Sequence, residues 1–408
     1  LLGGGAQTEL RPMLNPLIDS PASVRALMSL KILAVAVRQS VFPRTLCADY
    51  GFNQLPIASR MTDPGVGIGL LVLVVVAVLI WLSGARRRWM ALAAVLFFVA
   101  YLPTSNLLFP GVAIFAERNL YLPVLGFCMA AAVLLAGPRW SPRWRWLLAG
   151  ALVLAMGART VTRNEEFRSI LALDRAGVAS CPSSAWAHYS LGVALRDAGD
   201  LDGSFEQQRA SLAISPGFSN ARAELGLTLL LQGRPHEAEM ELKEAVRLNA
   251  DDWQARANLA LLYADSGRLA ESIEMYEAAM KGRPAEPALA GNYASALIEA
   301  GRIEEARGLF EKLRAQNALS AVGPNGLGAL AAREGHWDQA AAWFAEAVHR
   351  DPGDVNALYN QAQALSRTGR LREAVALLEN AAARGAADEA CLTLLADLKA
   401  AAAAAPPR

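Results

Sequence analysis

One glycine recurs in this chain every 34 residues, and that spacing restricts the possible folds more than any other feature. It occupies positions 199, 233, 267, 301, 335 and 369. The residue seven positions before each glycine is small in every case: Gly192, Gly226, Ala260, Ala294, Gly328 and Ala362. Small residues let two helix axes approach closely, and glycine turns sharply because it takes a positive φ without a Cβ penalty. The pattern therefore predicts stacked pairs of antiparallel helices, since one pair cannot bury its own apolar face.

The 34-residue period is that of the tetratricopeptide repeat (TPR). We predict six repeats over 185–388, which start at 185, 219, 253, 287, 321 and 355. A capping helix and tail follow at 389–408, with Cys391, Leu394, Leu395 and Leu398 on one helical face. The C-terminal half of the chain is therefore expected to be an α-solenoid.

A row of asparagines follows the same register. Asn258, Asn292 and Asn360 occupy equivalent positions in the first helices of their repeats, and Asn325 is one residue off in the fifth repeat. The first helices line the concave face of such a solenoid, where side-chain amides can hydrogen-bond the backbone of an extended polypeptide. Alternatively, asparagine at this position only suits the packing of the repeat. The sequence leaves both readings open.

Composition indicates that part of the chain is surrounded by lipid. The chain is 54% hydrophobic and 19% charged, whereas a soluble domain carries about 25% charged residues. The net charge of +1 argues against a nucleic-acid partner, which would require a basic stripe. Cys47, Cys128, Cys181 and Cys391 are scattered, so we expect neither a zinc site nor a disulfide framework. No metal and no bound cofactor are expected.

Residues 65–160 are predicted to contain several transmembrane helices, so the full fold class is all-α with a polytopic membrane part. Gly65–Leu82 and Asn119–Gly137 are uncharged runs of 18 and 19 residues, long enough to cross a bilayer. Trp89–Ala116 is uncharged but contains two prolines, which favours a short span to Tyr101 and then a loop. Trp146–Ala158 is apolar but short for a span unless its flanks extend it.

The arginines predict which side of the membrane each loop occupies. Arg86–Arg88 and Arg139–Arg145 flank the apolar runs, and loops rich in arginine remain in the cytoplasm. The loop 102–118 and the solenoid are then periplasmic or luminal, with 161–184 as a linker helix. If Trp146–Ala158 only lies on the membrane, the repeats are cytoplasmic instead. The segment 22–42 carries three charges, which favours an interfacial helix over a span packed in a bundle.

Two stretches of the membrane half resemble a known family. Residues 15–56 contain Arg25, Pro43, Leu46, Asp49 and Tyr50 in the order found in the domain of unknown function of the transmembrane and TPR repeat-containing protein O-mannosyltransferases. Residues 102–128 resemble a second element of that family through Ser105, Asn106, Phe109, Pro110, Glu117, Arg118, Leu120, Tyr121, Leu122, Pro123 and Gly126. Segment 1–64 is accordingly expected to lie outside or at the membrane interface.

The resemblance implies a glycosyltransferase of the GT-C type. Such enzymes move a sugar, mannose in this family, from a polyprenyl-phosphate carrier to protein hydroxyls, and the repeats would present the acceptor polypeptide. The acidic residues of the reaction centre lie in an early external loop, which we expect upstream of Leu1 in a longer protein. This chain is therefore expected to be the C-terminal portion, without the catalytic base.

The charged residues of the external motifs supply the candidate site. Arg118 and Arg44 are candidates for binding the phosphate of the carrier, because a guanidinium makes bidentate contacts with phosphate oxygens. Asp49, Tyr50 and Glu117 are read as structural parts of the external motif, together with Asn106 and Tyr121. Two other functions stay open, a non-catalytic membrane scaffold that recruits a partner and a cytoplasmic TPR adaptor. The adaptor requires the opposite topology.

Overall fold

The computed structural model describes residues 15, 17–41, 55–108, 114–136, 141–283, 286–316 and 320–404. Regular structure in these ranges is helical. The chain divides into two compact units, Leu1–Asn249 and Ala250–Arg408. The first unit contains the apolar region and two helix pairs of the solenoid, and the second contains the remaining repeats.

Within the described residues, the apolar region of the first unit contains six helices and three short 3₁₀ turns. The helices are α1 (Ala22–Val41), α2 (Pro64–Leu82), α3 (Arg87–Tyr101), α4 (Pro123–Leu135), α5 (Pro142–Glu166) and α6 (Ile170–Ser180). The 3₁₀ turns are Gly84–Arg86, Leu102–Thr104 and Glu117–Leu120. Asp63 begins α2, where its side chain accepts a hydrogen bond from the Gly65 amide and proline follows as the first helical residue.

Two glycines set the closest helix contacts in this region. A Cβ atom on Gly69 of α2 would lie 2.1 Å from the Leu30 carbonyl oxygen of α1. A Cβ atom on Gly126 of α4 would lie 2.5 Å from the backbone of Ala93 and Phe97 in α3. Such backbone contacts through small residues are typical of helices that associate within a membrane.

The structure contains one helix that is long and apolar enough to cross a membrane within the described residues, namely α2. Its 19 residues span about 28 Å, close to the hydrocarbon thickness of about 30 Å. Leu71, Val74 and Val78 on its surface remain exposed. These three side chains lie along one face of the helix, and such an exposed apolar row favours lipid over water as its surroundings.

Other predicted spans differ in length from the observed helices. The uncharged run from Asn119 to Gly137 yields only the 13-residue helix α4, because Glu117–Leu120 forms a 3₁₀ turn and Pro123 starts the helix. The helix α5 is longer than predicted, and its 25 residues span about 38 Å. The polytopic arrangement therefore stays a prediction.

The helix α1 packs in the core of this region. Met28, Ile32, Leu33 and Ala36 are almost fully buried and form one cluster with residues of α2, α3 and the loop after α3. Lys31 of α1 is largely shielded and donates to Asp63 and to the Pro56 carbonyl oxygen, at 2.9 Å in each case. Pairing thus accommodates its charge, while the choice between an interfacial helix and a span packed in a bundle stays a prediction.

The repeats form the helix pairs that the glycine spacing predicts. In the first unit they are α7 (Ala185–Asp197), α8 (Leu201–Ile214), α9 (Ser219–Leu231) and α10 (Pro235–Leu248). In the second unit they are α11 (Trp253–Asp265), α12 (Leu269–Gly282), α13 (Pro287–Glu299), α14 (Ile303–Gln316), α15 (Val322–Arg333), α16 (Trp337–Arg350), α17 (Val355–Arg367) and α18 (Leu371–Ala383). The final helix α19 (Glu389–Ala404) buries Cys391, Leu395 and Leu398 against the last pair.

The recurring glycines end the first helix of each pair. Gly199, Gly233, Gly267, Gly301, Gly335 and Gly369 all adopt φ between 73° and 84°. At the first turn the Gly199 amide donates to Arg196 and the Asp200 amide donates to Leu195, both at 2.9 Å. These bonds satisfy the last carbonyl groups of α7, as in a Schellman motif. The small residues also have the predicted role, since a Cβ atom on Gly328 would lie 2.6 Å from the Phe344 ring.

Candidate functional site

A pair of buried asparagines connects the two stretches that carry the family resemblance. The Asn15 side chain donates to Asn106 Oδ1 at 2.7 Å, and Asn106 Nδ2 donates to the Ile114 carbonyl oxygen at 2.6 Å. Both asparagines are almost completely buried. Asn106 adopts φ 58°, a conformation that asparagine tolerates better than most residues. The start of the first stretch and the external loop therefore form one structure, although 91 residues separate the two side chains.

Two further contacts hold α1 against this junction. The Tyr101 hydroxyl donates to the Ser29 carbonyl oxygen at 2.5 Å. The Lys31 ammonium contacts Asp63 at 2.9 Å, and this hydrogen bond holds the pKa of the Asp63 carboxyl below its usual value. Each contact joins α1 to another segment of the chain. Together the two contacts hold α1 in place beside the loop.

A cleft of about 300 Å³ opens beside the external motif. The end of α1 contributes Gln39 and Ser40, and the motif contributes Leu120 and Tyr121. The C-terminal end of α5 forms the remaining wall with Met156, Arg159, Thr160, Arg163 and Asn164, followed by Phe167. Its volume lies at the lower end of the range for small-ligand sites, about 300–1,000 Å³.

Two arginines dominate the electrostatics of the cleft. Arg163 is largely buried and pairs with Glu166, and its Cζ atom lies 5.1 Å from the centre of the Phe167 ring. Arg159 lies one turn earlier, 3.9 Å from the same carboxylate. The Glu166 carboxylate therefore lies near both guanidinium groups. Guanidinium groups bind phosphate oxygens in bidentate geometry, so the wall suits an anionic head group.

The structure brings together only some of the residues singled out from the sequence. Tyr121 lines the cleft, and Asn106 is a buried structural residue beside it. Arg44, Asp49 and Tyr50 lie outside the described residues. The backbone of Glu117 and Arg118 belongs to the 3₁₀ turn Glu117–Leu120, while both side chains lie outside the description. The phosphate-binding role of Arg118 and Arg44 therefore stays a prediction.

In the sequence, Arg159 and Arg163 are simply the first charged residues after the apolar stretch Trp146–Ala158. A signal for the cleft was nevertheless present, since residues four apart share one helical face. The helix α5 continues to Glu166, so both arginines extend from the apolar segment toward the external motif. The sequence alone could not show what lies opposite this face of α5, because no local pattern places Tyr121 there.

The asparagine row lies within the second unit. Asn258, Asn292, Asn325 and Asn360 are on α11, α13, α15 and α17, the first helices of their pairs. Asn360 Nδ2 donates to Asn325 Oδ1 at 3.2 Å, whereas Asn292 is exposed. The one-residue offset of Asn325 thus does not remove it from the row. Part of the row is paired internally, so peptide binding and repeat packing both remain compatible with it.

The scattered cysteines predict no disulfide framework, but one cysteine of the described residues is disulfide-bonded. Cys181, at the end of α6, is disulfide-bonded, while Cys128 and Cys391 are free. Cys181 also belongs to the buried cluster that contains Met28 and Phe115. Cysteine spacing predicts zinc sites and local frameworks, but disulfide connectivity cannot be deduced from it.

Comparison with known proteins confirms both the repeats and the resemblance. Tetratricopeptide repeat families match residues 185–204, 224–287, 263–322 and 331–398. The chain is 27% identical over 178 residues to protein O-mannosyl-transferase F38B6.6 of Caenorhabditis elegans, covering 44% of this chain and 26% of that protein. It is 24% identical over 292 residues to human protein O-mannosyl-transferase TMTC3, covering 66% and 32% respectively. The chain thus spans about a third or less of these relatives.

Among solved structures, one similar chain is a tetratricopeptide repeat protein from Parabacteroides merdae. The two chains are 19% identical, and the similarity covers 53% of this chain and 86% of the other with a TM-score of 0.42.

Proposed function

Because the chain is homologous to proteins named protein O-mannosyl-transferases, we propose that it is the C-terminal part of a membrane glycosyltransferase. The reaction moves a sugar, mannose by resemblance, from a polyprenyl-phosphate carrier to serine or threonine hydroxyls of a protein. The Asn15–Asn106 contact carries this proposal, since it unites both family-like stretches beside a cleft with an arginine wall. The general base comes from the part of the protein that precedes this chain.

The cleft and the solenoid lie on the outer side of the membrane in this proposal. The helix α2 crosses the membrane, and Arg86–Arg88 follow it on the cytoplasmic side. The motif at Tyr121 and the end of α5 line one cleft, so they share a side, and Arg143 and Arg145 at the other end of α5 face the cytoplasm. The disulfide at Cys181 supports this orientation, because disulfides persist in oxidising compartments.

The repeats present the acceptor polypeptide. Asn258, Asn292, Asn325 and Asn360 hydrogen-bond the backbone of an extended acceptor, which admits many sequences because amides do not distinguish side chains. On the membrane side, Arg118 and Arg44 contact the phosphate of the carrier. The chain thus binds both substrates, while proton transfer from the acceptor hydroxyl requires a carboxylate within hydrogen-bond reach.

A transfer assay with the intact protein tests the function. The protein is reconstituted in liposomes with a radiolabelled polyprenyl-phosphate sugar and a serine- and threonine-rich acceptor. We expect transfer that Arg118→Ala reduces at least tenfold, the effect of one lost charge-assisted hydrogen bond. Arg168→Ala is the matched control, because Arg168 is an exposed arginine paired with Glu165 outside the cleft.

Two results would contradict the proposal. Absence of transfer from every polyprenyl-phosphate sugar, together with capture of a partner by the repeats, favours the scaffold. Digestion of the repeats by protease added on the cytoplasmic side of sealed vesicles favours the adaptor. Unchanged turnover and expression of Arg118→Ala removes only that residue from the site.

A further inference from the structure

Exposed arginines and tryptophans occur together in two segments of the apolar region. Arg87 and Arg88 begin α3, and Arg143 lies in the first turn of α5. All three arginines are exposed. The exposed tryptophans of the same segments are Trp81, Trp89, Trp144 and Trp146. Tryptophan is enriched at the boundary between lipid and water, so both segments have the composition of a membrane edge.

The turn between α2 and α3 lies beside the C-terminal end of α4. Leu79 and Met90 flank the turn Gly84–Arg86, and both line an apolar groove of about 390 Å³ among the first four helices. Leu134, the penultimate residue of α4, lines the same groove. The groove therefore brings the end of α4 close to the start of α3.

The start of α5 lies at this same end of the helices. Val124 at the beginning of α4 and Met156 of α5 both line the cleft at the opposite end. The helical rise places Val124 about 17 Å from the end of α4 and Met156 about 21 Å from the start of α5. Two helices that share the cleft and are joined by a short connection run in opposite directions, so Arg143 lies on the same side as Arg87 and Arg88.

Few negative charges oppose these arginines. The chain from 64 to 164 contains one carboxylate residue, and it lies in the 3₁₀ turn before α4, at the opposite end of the helices. Arg87 donates to the Trp81 carbonyl oxygen at 3.4 Å, and the Arg88 Cζ atom lies 5.3 Å from the centre of the Trp89 ring. Neither contact neutralises a guanidinium charge. An anionic surface is therefore complementary to this end.

We propose that Arg87, Arg88 and Arg143, with the tryptophans beside them, bind the head groups of anionic phospholipids in the surrounding membrane leaflet. Guanidinium groups contact the lipid phosphates, while the tryptophan rings lie at the level of the head groups. Bilayer lipid is the occupant rather than a soluble anion, because exposed Leu82 and Leu147 adjoin the charged segments. The inference goes beyond the proposed function and requires only that α2 lies in a bilayer.

Fluorescence quenching in lipid vesicles tests the proposal. The full chain is reconstituted in dioleoyl phosphatidylcholine that contains either brominated phosphatidylglycerol or brominated phosphatidylcholine. Five of the nine tryptophans lie within 81–146 and the other four in the repeats, so contact quenching by bromine reports on this end. We expect phosphatidylglycerol to be preferred at least tenfold over phosphatidylcholine, because each arginine near an anionic surface contributes about fivefold.

Substitutions and salt identify the groups responsible. Arg87→Gln, Arg88→Gln and Arg143→Gln should each lower the preference about fivefold, whereas Arg143→Lys should retain it because the charge remains. Arg168→Gln is the matched control, since Arg168 is exposed, pairs with Glu165 and follows the opposite end of α5. Raising the salt concentration from about 0.15 M to about 1 M should abolish the preference, because the screening length falls to about 3 Å.

Several results would overturn the proposal. They are equal quenching by the two brominated lipids, a preference that survives about 1 M salt, and an unchanged preference in a triple glutamine variant with intact helical circular dichroism. Loss of the preference in millimolar inorganic phosphate indicates a site for soluble anions instead. Sugar transfer is measured separately. Its absence with a preserved lipid preference contradicts only the proposed function, and its presence without the preference contradicts only this inference.

Discussion

The hydrogen bond between Asn15 and Asn106 gives the most direct test of how the two family-like stretches are held together. Asn106→Ala removes the acceptor for Asn15 and the donor for the Ile114 carbonyl oxygen. It also places alanine at φ 58°. The substitution should therefore loosen the junction between the first stretch and the external loop without touching the arginine cleft directly.

The magnitude follows from the contacts. Each buried group left without a partner costs about 1–3 kcal/mol, so the two lost bonds cost about 2–6 kcal/mol. The left-handed backbone adds about 1–2 kcal/mol for alanine. A double-mutant cycle with Asn15→Ala isolates the direct bond, because the backbone strain occurs in both Asn106→Ala backgrounds and cancels. We expect a coupling energy of about 1–2 kcal/mol.

Hydrogen exchange of the full chain in detergent, followed by mass spectrometry, measures the opening free energy of the Ala22–Val41 helix in all four proteins. Thr104→Ala is the control, because it removes a single hydrogen bond to the nearby Tyr101 carbonyl oxygen in the same loop. Additive effects of Asn15→Ala and Asn106→Ala would refute the reasoning. So would an Asn106→Ala protein as stable as the Thr104→Ala control.

Other substitutions test separate parts of the molecule. Gly126→Ala should lower the melting temperature because its Cβ atom meets the backbone of Ala93, an overpacking cost of about 1–3 kcal/mol, whereas Gly150→Ala in open space should not. Cys181 should resist alkylation in denatured protein before reduction and react after reduction. Alkylation without reduction would contradict this and would indicate that the repeats begin in a reducing compartment. Burial raises the pKa of Asp252, so its ionisation destabilises the fold above that pKa and not below pH 3.8. Asp252→Asn keeps the N-terminal cap of α11 but removes the ionisable group. The protection of α11 against hydrogen exchange should then decline less as pH rises, and an unchanged decline would contradict this.

Local patterns account for what the sequence predicted correctly. Gly199 and its five counterparts end a helix because a positive φ is a property of the residue at that turn. Gly328 faces Phe344 because small and large residues alternate within one repeat. Each of these signals lies within a single 34-residue unit, so the spacing alone was sufficient to predict them.

The membrane half was predicted less well because its hydropathy pattern does not set helix ends. The uncharged run beginning at Asn119 suggested a full span, but Pro123 and the preceding 3₁₀ turn shorten the helix to 13 residues. The charges of the segment 22–42 favour an interfacial helix, but hydropathy does not show that Lys31 pairs with Asp63 of another segment. Hydropathy records neither the turn at Glu117–Leu120 nor the pairing of Lys31 with another segment.

By itself, the sequence determined the repeat architecture and the apolar character of α2, because both depend on residues near one another in the chain. Only the tertiary structure placed Asn15 on Asn106, Arg159 beside Tyr121, and Cys181 in a disulfide. The first two pairs join positions tens of residues apart, and their geometry depends on how helices pack. Closure of such long loops is decided by the summed packing of the intervening elements, which no local pattern encodes.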